Sequence, residues 1–277
     1  MIELFSYAFI QRAFIVGLLV SLCSALLGVS LVLRRYSMIG DGLSHVGFGA
    51  LAVASVFSFS PMLFTIPVVV VAAVLLLRLD GRRGLSGDSA IAMIASSALA
   101  IGIVLISYVK GTNSDIDNFL FGSLLSVGRG DCILSVTMSA AVLLCYVLLY
   151  PRLYAVTFDP VFAQAAGVRS GRYTTLLAVL SALTIVLGMR MLGSLLISAL
   201  VIFPCLGAMR IAHSYRALTI VSALESLVCF VLGFIMSYGL GTPAGASIVV
   251  VHLVSYILLS IVASLRSRGL LAGRQKR

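Results

Sequence analysis

Ala13-Phe-Ile-Val-Gly-Leu-Leu-Val-Ser-Leu-Cys-Ser-Ala-Leu-Leu-Gly-Val-Ser-Leu-Val-Leu33 runs without a charged side chain and ends against Arg34-Arg35. At a helical rise of about 1.5 Å per residue the run is long enough to cross a hydrocarbon core of about 30 Å. It is continuously apolar and does not alternate, so it has the pattern of a membrane helix and not of a barrel strand. Arg12 alone precedes it and no small-residue cleavage site follows it, so the segment reads as a retained span and not as a signal peptide.

Working outward, runs of the same kind recur along the whole chain. Nine candidate crossings are read, at 13–33, 38–59, 61–79, 88–109, 132–150, 173–189, 194–212, 217–239 and 245–265. The expected fold is all-α: a polytopic helical membrane protein forming a single transmembrane domain over residues 1–277. Composition agrees, with 61% hydrophobic residues, 10% charged residues and a mean hydropathy of +1.18, against about 25% charged residues in soluble domains. The five cysteines, Cys23, Cys132, Cys145, Cys205 and Cys229, lie in or beside apolar runs with no CxxC pair, and read as small buried hydrophobes. In a soluble chain the net charge of +10 would suggest nucleic acid. In a membrane protein it marks loops held in the cytoplasm, and no nucleic-acid partner is expected.

Those basic residues choose an orientation. Arg34-Arg35, then Arg78, Arg82 and Arg83, then Arg152, Arg169 and Arg172, then Arg210 and Arg216, then the tail from 266 to 277 fall on alternate connections. Placing that side in the cytoplasm puts the N-terminus outside and the C-terminus inside. The opposite connections hold isolated charges, Lys110, Arg129 and Arg190. Two segments are not simple spans. Residues 118–127 are apolar but too short to cross, and read as a re-entrant or interfacial piece near the outer face. Residues 151–172 form the longest polar stretch between apolar runs, and a connection longer than its neighbours needs a reason. Small residues within the spans, among them Gly47, Gly49, Gly193, Ser194, Ser198 and Gly245, suit close helix packing.

The stretch Arg34-Arg-Tyr-Ser-Met-Ile-Gly-Asp-Gly-Leu-Ser-His45 sets Asp41 and His45 at the start of an apolar run. An ionisable side chain at the middle of a membrane helix costs roughly 2.5–3.5 kcal/mol, and less nearer the interface. In a helix, positions four apart lie about 40° from one another, on one face. A carboxylate and an imidazole so placed offer oxygen and nitrogen donors suited to zinc or manganese. One pair does not complete a site, so further ligands would come from another helix, a symmetry mate or water. The alternative is a helix start in which Asp41 caps the helix or pairs with Arg34 or Arg35 while His45 bonds a neighbour.

Absent motifs are equally informative. Lys110 precedes glycine and Lys276 precedes arginine, so the chain has no G-x-x-x-x-G-K-[ST] phosphate loop. If ATP drives this protein, another chain binds it. The loop Thr157-Phe-Asp-Pro-Val-Phe-Ala-Gln-Ala-Ala-Gly-Val168 is a place where such a chain would dock. Asp159-Pro160 resembles a helix start, Phe162, Ala163 and Ala166 give a short apolar face, and Gly167 ends it. A short helix lying on the membrane surface fits the same residues, among which Thr157 and Phe158 lead in.

Lesser pathway candidates are Ser44, Asp115 and Asp117 near the outer mouth, Glu225 in the eighth run and His252 in the ninth. A solvated loop accounts for the two aspartates, interhelical hydrogen bonding for Glu225, and packing for His252. Gly245-Ala-Ser247 with His252 faintly resembles the serine–histidine dyad of an intramembrane hydrolase. Five positions on one helix mean about 140° of rotation, so that serine and histidine point apart. No H-E-x-x-H or paired-aspartate motif is present.

In order and spacing, five stretches resemble the permeases of the ATP-binding-cassette family that imports zinc, manganese or iron. They are Arg-Arg-x-x-x-x-Gly-Asp-x-Leu-Ser-His at 34–45, Phe121-Gly-Ser-Leu-Leu-Ser-Val127, the 159–168 loop, Gly193-Ser-Leu-Leu-Ile-Ser-Ala-Leu-Val-Ile-Phe-Pro204, and Thr242-Pro-Ala-Gly-Ala-Ser-Ile-Val249. The resemblance covers nearly the whole chain. It implies a permease of the bacterial cytoplasmic (inner) membrane, working as a homodimer on two cytoplasmic ATPase subunits and fed by an extracytoplasmic metal-binding protein. It implies metal passage by way of Asp41 and His45, and a coupling helix in the Asp159-Pro160 loop carrying Thr157, Phe158, Phe162, Ala163 and Gly167. It implies no enzyme activity in this chain and no tightly bound cofactor, with Zn2+ or Mn2+ as transported substrate, ATP on the partner, and alternating access as the mechanism. The chain departs from many relatives in reading Pro204-Cys-Leu-Gly-Ala where they read Pro-Ala-Ala-Thr-Ala, so no threonine role is carried over. A permease of the same architecture for a metal chelate or another small solute is the alternative.

Overall fold

A computed structural model of the chain describes residues 8–79, 87–108 and 129–274, and all of their regular structure is helical. The helices run α1 (Ala8–Leu33), α2 (Ile39–Val56), α3 (Pro61–Leu79), α4 (Gly87–Tyr108), α5 (Arg129–Phe158), α6 (Pro160–Ala165), α7 (Ser170–Leu192), α8 (Ser194–Ala208), α9 (Tyr215–Leu240) and α10 (Ala244–Arg274). Among the described residues, eight are long and apolar enough to span a membrane. The crossing expected at 194–212 is instead the 15-residue α8, which ends where the chain turns at Met209 and Arg210. It packs against α1, α2, α7, α9 and α10. A helix surrounded by protein in this way does not have to match the bilayer thickness. Segment 118–127, the Phe121-to-Val127 motif, Asp115 and Asp117 lie outside the described residues.

The opening run forms the heart of the bundle. Of its most apolar window, 72% is buried in the chain's own interior, against 11% for α10, which therefore lies at the periphery. Lipid tails are as apolar as leucine, so helices associate in a membrane through close packing and hydrogen bonds. Both are found on α1. Ser21 and Ser226 bring their hydroxyls to 2.6 Å, and Ser226 Oγ also donates to the Ser21 carbonyl at 3.1 Å, pinning α1 to α9. At Gly28 a Cβ would collide with the Val201 carbonyl of α8, so glycine there sets how closely the two backbones approach. The run ends with Arg35 in the left-handed region, φ 63°, and the Tyr36 N–H bonding the Leu31 carbonyl at 2.9 Å. That closure releases the chain into α2 within a few residues.

The long polar stretch is shorter than its composition suggests. The span expected at 132–150 continues as helix through Pro151 to Phe158, so only 159–169 breaks the helical course before α7. Tyr146, Tyr150, Tyr154 and Phe158 recur every fourth residue on α5 and gather around Tyr215 of α9. The Tyr215 ring lies 5.6, 4.8 and 5.6 Å from the rings of Tyr150, Tyr154 and Phe158. The Tyr146 and Tyr215 hydroxyls are 3.5 Å apart. These contacts hold the helix in line across the proline, whose missing N–H would otherwise favour a break.

Candidate functional site: an acid–imidazole pair on α2 and a capped helix at the arginine-bearing end

Four glycines shape α2. A Cβ at Gly40 would press on the Ser198 backbone of α8, at Gly42 on Ile91 of α4, at Gly47 on Met189 of α7, and at Gly49 on the Ala98 carbonyl of α4. α8 and α4 thus close on α2 to near-backbone contact at Gly40 and Gly49, while side chains of α4 and α7 fill the space at Gly42 and Gly47. Over residues 39–50, Asp41 and His45 are the two that are not buried. Their side chains meet across one helical turn, His45 Nε2 lying 3.4 Å from Asp41 Oδ2, with the imidazole 20% and the carboxylate 43% exposed. The other imidazole nitrogen, Nδ1, is buried and has no hydrogen-bond partner among the described residues. Ser44 is turned away from the pair's open face, buried, with Oγ donating to the Asp41 carbonyl at 2.8 Å.

The geometry bears on the cap and the arginine pairing that the alternative reading of the sequence offered for Asp41. Met38 stands at the N-cap of α2 and no side chain caps the helix, so Asp41 is not a cap. Arg34 turns instead to Thr174 Oγ1, at 3.2 Å, and lies over the Tyr36 ring. The partner of Asp41 among the described residues is His45. A carboxylate and an imidazole on one helix face are two donors, too few to hold an ion by themselves. Among the described residues no group of three or more His, Cys, Asp or Glu comes together within the chain.

The second site begins where α5 ends. Asp159 takes an extended conformation, and its Oδ1 accepts from the Val161 and Phe162 N–H groups at 3.0 and 2.9 Å, capping α6 with Pro160 in its first turn. Gly167, at φ 83°, supplies the left-handed residue that ends the motif, and the Val168 N–H returns to the Ala163 carbonyl at 2.9 Å. Ala163 and Thr157 face inward. Val161 and Phe162 are 76% and 68% exposed, and Phe158, 58% exposed, also sets its ring against Tyr154 and Tyr215.

The remaining candidates separate. Glu225 reaches from α9 to α10, where Ser255 Oγ donates to its Oε1 at 3.0 Å, while Oε2 is buried beside Gly207 without a partner. His252 is fully buried, its Nδ1 donating to the Ile248 carbonyl at 2.9 Å. Ser247 Oγ donates to the Pro243 carbonyl at 3.0 Å and meets Thr242 Oγ1 at 2.7 Å, so serine and histidine form no dyad. The Tyr215 cluster was missed in the sequence. Its signal is the fourfold aromatic spacing on α5, which straddles a proline.

The described fold is that of a multi-pass helical membrane protein, with eight helices long and apolar enough to cross a bilayer. Residues 6–263 match the ABC 3 transport family, and the chain belongs to it, a permease component and not an enzyme. It is 30% identical over 257 residues to the manganese import system permease protein ScaB of Streptococcus parasanguinis, spanning 93% of this chain and 91% of that one. It is 29% identical over 246 residues to the high-affinity zinc uptake system membrane protein ZnuB of Haemophilus influenzae, spanning 89% of this chain and 94% of that one. The solved structure of PsaBC from Streptococcus pneumoniae in complex with Fab superposes with a TM-score of 0.81 at 29% identity, covering 92% of each chain.

Proposed function

We propose that this chain is the membrane-spanning subunit of an ATP-driven importer of a divalent transition metal ion, manganese or zinc, and that the ion passes by way of Asp41 and His45. The observation that carries the reading is the pair itself. On a helix walled by glycine-mediated contacts, these two side chains keep an open face, with one imidazole nitrogen buried and unpartnered among the described residues. Relatives that import manganese and zinc support the class of cargo. Carboxylate oxygen and imidazole nitrogen suit either ion.

Two donors do not hold an ion in one protomer. Further donors would come from a second copy of the chain, another helix or water, and coordination along the pathway stays weak. A site on the pathway must exchange its ion, which argues against a closed tetrahedral cage of the structural-zinc kind. The chain's arginine-bearing connections lie in the cytoplasm, and an extracytoplasmic binding protein delivers the ion at the other face. The capped α6 with exposed Phe158, Val161 and Phe162 seats on the cytoplasmic ATPase, whose closure moves it and switches the open side of the bundle.

The test is uptake into proteoliposomes holding this chain and its ATPase, with manganese, zinc and iron supplied on the binding protein. ATP-dependent accumulation of one metal, lost in His45→Ala, is expected. No accumulation of any metal by a complex that still hydrolyses ATP would shift the cargo to a chelate or another solute.

A further inference from the structure

Four arginines from three separate segments converge on one cavity at the end of the bundle where α1 and α3 finish and α7 begins. The cavity has a volume of about 680 Å³ and is lined by Arg34, Arg78, Arg169 and Arg172, with Pro160 and Gln164 of α6 on one wall. No aspartate or glutamate is among its described lining residues. Of the carboxylates nearest in sequence to the lining, Asp80 lies outside the described residues and Asp159 is committed to two backbone N–H groups of α6. A second cavity of about 580 Å³ shares Arg169 and Arg172 and adds Arg152.

Retention of positive charge on one side of a membrane accounts for arginines in separate loops. It does not account for their being aimed at one space. Arg34 Nη1 is held by Thr174 Oγ1 at 3.2 Å, and Arg78 Nε and Nη2 are held by Thr175 Oγ1 at 3.3 and 3.1 Å, so adjacent threonines of α7 orient both guanidinium groups. The Arg169 and Arg172 side chains make no hydrogen bond or ion pair with any described residue. They flank the start of α7, which has no side-chain cap, so the first-turn N–H groups add partial positive charge to the same space. Guanidinium groups lining one space, with no carboxylate among its described lining residues, favour a small, multiply charged anion. Their planar donors match phosphate oxygens two at a time.

We propose that this cavity binds a phosphate-bearing anion. Because three membrane helices end at it, it lies at headgroup depth, and the phosphodiester of an anionic phospholipid is the ligand its position favours. A phosphate free in water would use the same donors. Bound there, the anion bridges α1, α3 and α7 and stiffens the wall against which Pro160 and Gln164 of α6 rest. The assignment is independent of the nature of the cargo.

The test uses the full chain in a neutral detergent, with native mass spectrometry reading bound lipid after addition of phosphatidylglycerol or phosphatidylcholine, and thermal shift reading inorganic pyrophosphate. The wild-type chain should retain phosphatidylglycerol about tenfold better than phosphatidylcholine, and R169Q/R172Q should lose that preference. R169K/R172K, which keeps the charge, should regain part of it, and Arg12→Gln on α1 should leave it intact. Stabilisation of the wild type but not of R169Q/R172Q by pyrophosphate, without a lipid preference, would keep the phosphate site and make its source soluble. Equal retention of both lipids with no pyrophosphate effect, or unchanged phosphatidylglycerol retention in R169Q/R172Q, overturns the proposal.

Discussion

His45 Nε2 stands 3.4 Å from Asp41 Oδ2 on the next turn of α2, and the imidazole's other nitrogen is buried with no partner among the described residues. The carboxylate is 43% exposed, so the pair itself contributes at most about 1 kcal/mol to the fold. Asp41→Asn and His45→Ala should therefore leave the melting temperature and dimer assembly nearly unchanged while metal uptake is abolished. A double variant that expresses well and transports normally would sink the metal pathway drawn here.

Gly28 meets the Val201 carbonyl so closely that a Cβ has no room, and the neighbouring atom is backbone. Gly28→Ala should force α1 and α8 apart and destabilise the protein by about 1–3 kcal/mol, the usual cost of overpacking. Gly171→Ala, where nothing lies within 4 Å of the added atom, is the control and should melt with the wild type. Equal melting of both variants in detergent would show that the α1–α8 contact is not a tight one.

The existence of the helices was legible because each apolar run is set by the bilayer, which leaves the chain few alternatives to a helix. The Asp41–His45 pair was legible for the same kind of reason, since four-residue spacing fixes a shared face. Helix ends were not. Residues 151–157 begin with a proline and open the stretch read as polar, but Tyr154, Phe158 and Tyr215 carry α5 onward through ring contacts that only the packed bundle supplies. Gly193 shows the limit from the other side. It reads as a packing residue, whereas at φ 90° it is the single-residue joint between α7 and α8, a role set by conformation and not by composition.

Asp159 and Phe162 test the proposed docking of α6 from two sides, its cap and its exposed ring. Asp159→Ala removes the acceptor for two N–H groups and should loosen the helix by about 1 kcal/mol. Phe162→Ala leaves the cap and removes a ring that is 68% exposed. Both should lower co-purification with the ATPase or dissociate ATP hydrolysis from uptake, with no loss of the permease itself. Normal binding and normal transport in both variants would show that the ATPase docks elsewhere.

Glu225 presents a sharper choice between structure and transport. Ser255 Oγ donates to its Oε1 at 3.0 Å, and its other oxygen is buried against Gly207. A carboxylate in that position serves as an acceptor joining α9 to α10, and an amide can do the same. Glu225→Gln should keep uptake within a factor of about two and stability within about 1 kcal/mol. Glu225→Ala removes the acceptor, leaves the Ser255 hydroxyl without it and opens a void beside Gly207, so a loss of about 2–4 kcal/mol is expected. Ser255→Ala should fall between them. Thermal melts set beside uptake rates discriminate the two roles, because a hydrogen-bonding Glu225 loses stability and transport together in the alanine variant and neither in the glutamine variant. A stable Glu225→Gln protein that no longer transports would assign the carboxylate to the cargo pathway, and α9 would then join α2 in lining it.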